Sequence, residues 1–467
     1  MYEITRGVVL GTSIAGMLAA SALARHVDEV VVVERDEAPT GPFSRKGLPQ
    51  SWHVHQLWSS GAKLIDKLLP GTINRLYQAG ANRIGVPQQH ITLTAFGWQH
   101  RFTESQYMVC CSRPLIDWTI LQQIQAEPRI TVLWEHDATG LLGTADHVTG
   151  VIVRDMATGT HREMQADLVV DATGRASQLA NWLTGMGLPP VETDVVDSGI
   201  TYATRLFRAP SGAGQGFPIV TVYADYRVPR PGQNGTIFPI ENGNWLVTVS
   251  GTRGGEPPAD DNAFTEFARG LRHPIVADLL AGAEPLTSVR RTRSTSNRRL
   301  HFDKLPQWPR GLAAIGDAVA AFNPIFGHGI IAAAMGATAL SEALERVSAV
   351  GDVGALLVRK VARIVDEPWL IATSQDTCYP DCRIQAKDPR LTEKPDPRQQ
   401  QLTDFVSEVA TRQPVVNNAL LRITSLSAPS SCMQEPDVLA ALQAGPTHPR
   451  LTEPPLTTSE RMLLQRA

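Results

Sequence analysis

The sequence predicts an α/β fold: a domain built on parallel strands, interrupted by a mostly antiparallel β-sheet domain and followed by a helical C-terminal region. Three observations predict it. The first forty residues read as strand, glycine-bearing turn, helix and strand. Residues 190 to 290 alternate apolar with polar side chains or concentrate β-branched and aromatic ones. Beyond about residue 345, apolar residues recur at helical spacing.

The first element is GVVLGTSIAGMLAASALARHVDEVVVVERD. Gly7 to Leu10 is a short buried strand, Ile14 to Ala24 a helix rich in Ala, Leu and Met, and Val30 to Glu34 a second strand. Together they make a Rossmann-type βαβ unit about 30 residues long. Its turn is Gly11-Thr12-Ser13-Ile14-Ala15-Gly16. In the G-x-G-x-x-G pattern the first glycine allows the tight turn, the second lets backbone approach a pyrophosphate, and the third lets helix pack on strand. Ser13 stands in the second place. It is small enough to keep most of that approach, and its hydroxyl can bond a phosphate oxygen. The helix N-terminus adds N–H donors and a positive dipole end. Glu34 ends the second strand, 23 residues after Gly11. An acid there accepts from a ribose hydroxyl, so FAD or NAD fits and a 2′-phosphate does not. Arg35 beside it joins the candidate contacts.

Two later segments point to FAD. In ADLVVDATGRASQL, a buried strand from Asp167 ends at Asp171 and turns through Thr173-Gly174-Arg175. In AAIGDAVAAFNPIFGHGIIAAAMGA, a strand over Leu312 to Ile315 ends in Gly316-Asp317. Pro324, Gly327, His328 and Gly329 then open an Ala-rich helix. The Asp317 carboxylate can accept from ribityl hydroxyls, and N–H groups at a helix start can meet the electron-rich flavin edge. A second dinucleotide fingerprint is not found: Gly212 to Gly216 lacks a flanking strand and helix and reads as a loop.

Bulk properties exclude other classes. A chain of 467 residues with 43% hydrophobic and 19% charged residues is ordinary for a globular enzyme. A net charge of −3 leaves no electrostatic footprint for nucleic acid or an anionic membrane. Five cysteines make no disulfide scaffold, and CYPDC (Cys378, Cys382) has one residue too many for a CxxC redox pair. The start of the chain runs into a strand with no secretory pattern, so a cytoplasmic location is expected. The longest apolar stretch, Gly311 to Leu340, holds Asp317, Asn323, Pro324 and His328, so no membrane span is expected.

These segments, in this order and spacing, resemble the single-component flavin monooxygenases of the para-hydroxybenzoate hydroxylase fold. The resemblance implies one FAD domain (residues 1–85, 106–188 and 291–347), substrate-sheet strands at 86–105, a substrate domain at 189–290 and a helical region at 348–467. It also implies that Arg45, in RKGLPQ, lies near the FAD phosphates, and that Arg113, in CCSRPLIDW, lies along the ribityl chain and pyrophosphate. RKGLPQSWHVHQL, FGWQHRF, TYATRLFRAP and VSGTRGGEPPADD further resemble the FAD epoxidases of polyether ionophore biosynthesis. For those, NAD(P)H reduces the flavin, oxygen adds at C4a, and the distal oxygen passes to an alkene of a linear polyketide polyene, free or carrier-bound. Epoxidation needs no protein general base, and no catalytic residue is assigned. Rival readings are an aromatic polyketide hydroxylase, a reductase of isoprenoid chains, and a non-enzymatic flavin-binding protein. The W-x-W-x-I-P segment of flavin-dependent halogenases is not found.

One face of the antiparallel sheet is expected to cover the flavin. His55, Trp98, His100, Tyr202, Tyr223, Phe238 and Phe322 are the candidate pocket residues, with Trp245 beside them, and a polyene calls for an apolar tunnel. His53 and His55 share a strand face but lack a third ligand, so no metal is expected. Arg290, Arg291, Arg293, Arg298 and Arg299 read as a solvated strand and loop, or else as an anion or NAD(P)H phosphate site. Lys387 to Gln401, polar and interrupted by prolines, reads as a loop.

Overall fold

The computed structural model describes residues 5–293, 295–393 and 396–465. Strand β1 (Arg6–Leu10) turns into helix α1 (Ile14–Leu23) and β2 (Glu29–Val33). Next come β3 (His90–Thr94), α2 (Arg113–Gln125), β4 (Ile130–Leu133) and β5 (Leu168–Asp171). Strands β6 (Thr201–Arg208), β7 (Ile219–Val222), β8 (Gln233–Ile240) and β9 (Asn244–Gly251) follow. Strands β10 (Asn297–Leu300) and β11 (Leu312–Ala314) lead to α3 (His328–Leu344) and α4 (Asp366–Asp376).

The first sheet is parallel, in the order β11-β5-β1-β2-β4. Strands buried on both faces must read as unbroken apolar runs, and the VVVV of β2 and the VVL of β1 do so. Every residue of α1 is buried, which suits a helix of small and aliphatic residues packed between sheet and neighbouring helix.

The second sheet is mixed. Strands β6, β9, β8 and β7 are antiparallel neighbours, and β3 pairs with β7 in parallel. Residues 97–98 and short pieces at 284–285 and 290–292 complete it. Both faces are covered. The outer face (Ala203, Phe207, Trp245, Val247, Val249) is aliphatic and aromatic and packs on the helices Asp261–Arg269 and Ile275–Leu280. The inner face turns toward the first domain.

Two regions depart from expectation. Thr193–Asp197, placed with the substrate domain, instead pairs with β10 and with Arg383–Gln385 in a third sheet. The C-terminal region therefore contributes a strand as well as helices. Lys387 to Gln401 is not one loop: helices start at Pro389 and Pro397, each capped by the preceding aspartate side chain. Proline lacks an N–H that a first helical residue does not need, so it opens a helix as readily as it breaks one; Pro395 lies outside the described residues. Among the described residues no helix is long and apolar enough to cross a membrane.

Candidate cofactor and substrate site

The turns after β1, β5 and β11 converge. After β1, Gly11 has φ +94° and donates its N–H to the Val33 carbonyl at 2.8 Å. A Cβ on Gly16 would lie 1.9 Å from the Gly11 carbonyl oxygen, so only glycine lets α1 start this close to the turn. Ser13 is the N-cap of α1, yet its hydroxyl makes no capping bond and remains available at the helix N-terminus, with Ile14 and Ala15 buried behind it. After β11, a Cβ on Gly316 (φ +64°) would lie 2.9 Å from the Ala15 Cβ, which locks the third turn to the first.

Asp317 sits at the centre. Arg175 is 3.8 Å from its carboxylate. Burial pushes the carboxyl up, and Arg175, Arg113 and Arg298 pull it down. A Cβ on Gly174 or on Gly329 would meet nothing within 4 Å except Asp317, so the two glycines border open space. Pro324 and Gly329 are exposed on the same rim. A helix N-terminus, a free hydroxyl, a carboxylate and buried Arg113 surround a groove walled by glycines. That donor and acceptor set fits FAD: N–H groups and arginine for the pyrophosphate, Asp317 for ribityl hydroxyls.

Other predicted contacts are placed differently. The Glu34 carboxylate accepts from the Thr12 N–H (2.8 Å), the Thr12 hydroxyl (2.5 Å) and the Asp36 N–H (3.0 Å). Three of about four acceptor positions are thus used within the protein. Arg45 donates to the Thr12 hydroxyl and carbonyl at 2.7 and 3.0 Å and lies 3.8 Å from Glu34, at the adenosine end of the groove. Arg35 is exposed. Asp171, fully buried, is a turn builder: it accepts from the Thr173 N–H and hydroxyl and from the Ser177 hydroxyl. His328 points away from the groove and donates from Nε2 to the Thr424 carbonyl at 2.9 Å, anchoring the loop to the C-terminal region.

The inner face of the second sheet meets this groove at its glycine loop. The Tyr202 hydroxyl donates to Asn323 Oδ1 at 2.5 Å, one residue before Pro324. The Gln56 side chain abuts Gly327 in the same loop. Across five strands the inner face carries a row of threonines in register, Thr204, Thr248, Thr236, Thr221 and Thr92. The next row is Tyr202, Ser250, Asn234 and Tyr223, equally polar. His53 closes one end, with Nδ1 on Thr204 (2.6 Å) and Nε2 on Thr292 (2.8 Å). Burial pushes it down to about 4, so it is neutral at pH 7, and both nitrogens are taken by hydroxyls rather than left for a metal. His55 donates Nδ1–H to the His53 carbonyl at 2.9 Å; burial and Arg113 push it down to about 3. Its Nε2 is therefore a neutral acceptor.

Five of the aromatic candidates lie elsewhere. Trp98 belongs to the outer core, edge-on to His273 at 5.0 Å. Trp245 lies in the same cluster. Phe238 packs with Trp58, Met108 and Ile331 as core between the domains. His100 bonds the Pro449 carbonyl and stacks on Phe102 near the C-terminus. Phe322 is buried in the first core, with its carbonyl accepting from Arg175. Trp98→Ala should cost about 3–5 kcal/mol of stability, as for other buried tryptophans. Denaturant unfolding should show that loss while the bound-flavin spectrum stays unchanged; a changed spectrum would return Trp98 to the pocket.

The arginine cluster also divides. Arg299 is tied to Asp366 (2.7 Å) and the Ala362 carbonyl, and Arg290 lies over the Trp52 ring. A further carboxylate–histidine group, Glu192, Asp194 and His301, is occupied by Lys304, by Lys387 and by the His301–Asp194 bond at 2.7 Å. Thr12, Arg175, Asn323 and Asp376 were not anticipated. The Asn-Pro dipeptide at 323–324 is a turn signal that marks Asn323. No local signal marks Asp376, whose contacts depend on where a distant helix docks.

Comparisons agree with this geometry. The family model described as "FAD dependent oxidoreductase" matches residues 8–182. Protein Rv3254 of Mycobacterium tuberculosis (strain ATCC 25618 / H37Rv) is 32% identical over 388 residues, covering 80% of each chain. Among solved structures, PqsL of Pseudomonas aeruginosa, described as a probable FAD-dependent monooxygenase, superposes with a TM-score of 0.57 at 18% identity over 80% of this chain and 97% of that one. The myxobacterial chondrochloren halogenase CndH superposes with a TM-score of 0.62 at 16% identity over 99% and 96%. The chain belongs to the FAD-dependent oxidoreductase family and has the flavin monooxygenase and halogenase type of fold. It is an enzyme of that family.

Proposed function

We propose that the enzyme is a monooxygenase that consumes NAD(P)H and O2 and adds one oxygen atom to an electron-rich carbon–carbon double bond of a polyketide. The supporting observation is the seating of the Pro324–Gly329 loop against the inner face of a second sheet, through the Tyr202–Asn323 hydrogen bond. When bound, FAD supplies the electron and oxygen chemistry. The protein's part is to hold the double bond beside the flavin and exclude water. Epoxidation of a linear polyene, as in polyether biosynthesis, is the finer reading that the resemblance supports.

The threonine row favours a second reading on the same fold, hydroxylation of an aromatic polyketide. Thr204 bonds Thr248 and His53 there, and Thr221 bonds Thr236 and His90, so the face is a polar wall that suits a phenol or quinone better than an all-hydrocarbon chain. The test is turnover of the purified yellow protein with NADPH in air, offering a linear polyene ester or a phenolic polyketide, with oxygen uptake and product mass recorded. Acid-labile products heavier by one or more oxygen atoms from the polyene support epoxidation. Oxygen gain on the phenol alone supports hydroxylation. Saturation of a double bond without oxygen uptake would make the enzyme a reductase and overturn both.

A further inference from the structure

Asp376 ends α4 in the C-terminal region, far in sequence from the flavin motifs, and is 2% exposed. Its carboxylate accepts from Asn323 Nδ2 at 2.9 and 3.1 Å and from Asn297 Nδ2 at 2.7 Å. Among the described residues no lysine or arginine pairs with it, and the nearby Asp197 is itself paired with Arg253. A buried carboxylate held only by neutral donors is costly, and such groups concentrate at functional sites.

Asn323 shows what Asp376 does. Its Nδ2 faces Asp376; its Oδ1 accepts from the Tyr202 hydroxyl at 2.5 Å and from the Ile325 N–H at 3.2 Å; its own N–H donates to Asn297 Oδ1 at 2.6 Å. The amide can therefore stand only one way round. Asp376, an acceptor at both oxygens, selects that orientation. The selected orientation caps the Pro324–Phe326 turn and takes up the Tyr202 hydroxyl.

We propose that Asp376 is a positioning residue: through Asn323 it holds the Pro324–Gly329 loop and the Tyr202 phenol in register, so that the C-terminal region sets the environment of the flavin. The inference rests on the reading of that loop as the flavin-end contact. Asp376→Asn removes no volume but puts an amide donor against the Asn323 or Asn297 donor. Relief requires Asn323 to flip, which turns its NH2 toward the Ile325 N–H and uncaps the turn.

Burial pushes Asp376 up to about 6. Tyr202, Tyr379, Cys378 and Cys382, which also face it, are all pushed upward from already high values. Between pH 5 and 8, Asp376 is therefore the group of this network that changes charge. The experiment uses the FAD-loaded full chain and follows the bound-flavin absorption spectrum from pH 5 to 8, together with FAD affinity by flavin fluorescence. The wild type should show a spectral transition near pH 6. Asp376→Asn should abolish it and weaken FAD binding at least tenfold. Tyr202→Phe, which loses one bond to the same amide and keeps the fold, should displace the transition. A wild-type spectrum that does not change with pH, or an Asp376→Asn protein with unaltered affinity and transition, overturns the proposal. A wild type that takes up no FAD at all refutes the cofactor reading beneath it.

Discussion

Gly16→Val is expected to yield protein that retains no flavin. The added Cβ would fall 1.9 Å from the Gly11 carbonyl oxygen, inside any real contact distance, and the obstacle is backbone rather than a side chain that could rotate away. The first turn of α1 must move off β1, and with it the N–H groups that would face the pyrophosphate. The clash also sits in the core of the first domain, so the effect exceeds that of losing a single hydrogen bond. Flavin absorbance per mole of purified protein, with circular dichroism to confirm folding, measures it. Ser13→Gly is the comparison: it loses one hydroxyl but adds no Cβ and restores the G-x-G spacing, so it should keep bound flavin at somewhat lower affinity. A yellow Gly16→Val protein would mean that the cofactor lies elsewhere.

Asp317→Ala is expected to weaken FAD binding by about ten- to a hundredfold. A charge-assisted hydrogen bond contributes about 1.5–3 kcal/mol, and 1.4 kcal/mol is tenfold in affinity. The carboxylate is set between Gly174 and Gly329 with open space beside them, and Arg175 lies 3.8 Å away. Its removal leaves Arg175 without that charge partner but disturbs no packed apolar side chain. Affinity should fall while the unfolding transition of the cofactor-free protein shifts little. Equilibrium titration of apoprotein with FAD gives the affinity. An unchanged dissociation constant would remove Asp317 from the cofactor site.

The two halves of the molecule were unequally readable from sequence. The FAD half was readable because its signals are local: Gly11, Gly16, Gly316 and Asp317 act within a few residues of a strand end, where one residue type meets one backbone demand. The second sheet was readable as a sheet but not by face. Its outer side is buried under helices, so Trp98 and Trp245 point away from the flavin, and apolarity ceased to identify the pocket side. The threonines, which carry no local signal, lie on the inner side. Registers between strands, which assemble Thr204, Thr248, Thr236, Thr221 and Thr92 into one row, are a tertiary property. The same holds for Asp376, and for Arg45, whose partner Thr12 is settled by how a long connection folds back.

Strand β3 is supplied by chain that runs between two stretches of the first domain, yet it hydrogen-bonds in parallel to β7 inside the second sheet. The substrate half is therefore not a contiguous cassette. A graft of residues 189–290 from a relative would arrive without the strand that covers the β7 edge, and would expose that edge to pairing with other chains. Exchange of specificity between relatives must carry residues 86–105 together with 189–290. Because the polypeptide crosses between the halves several times, neither can come apart while the other stays whole, and the two should melt as one cooperative unit.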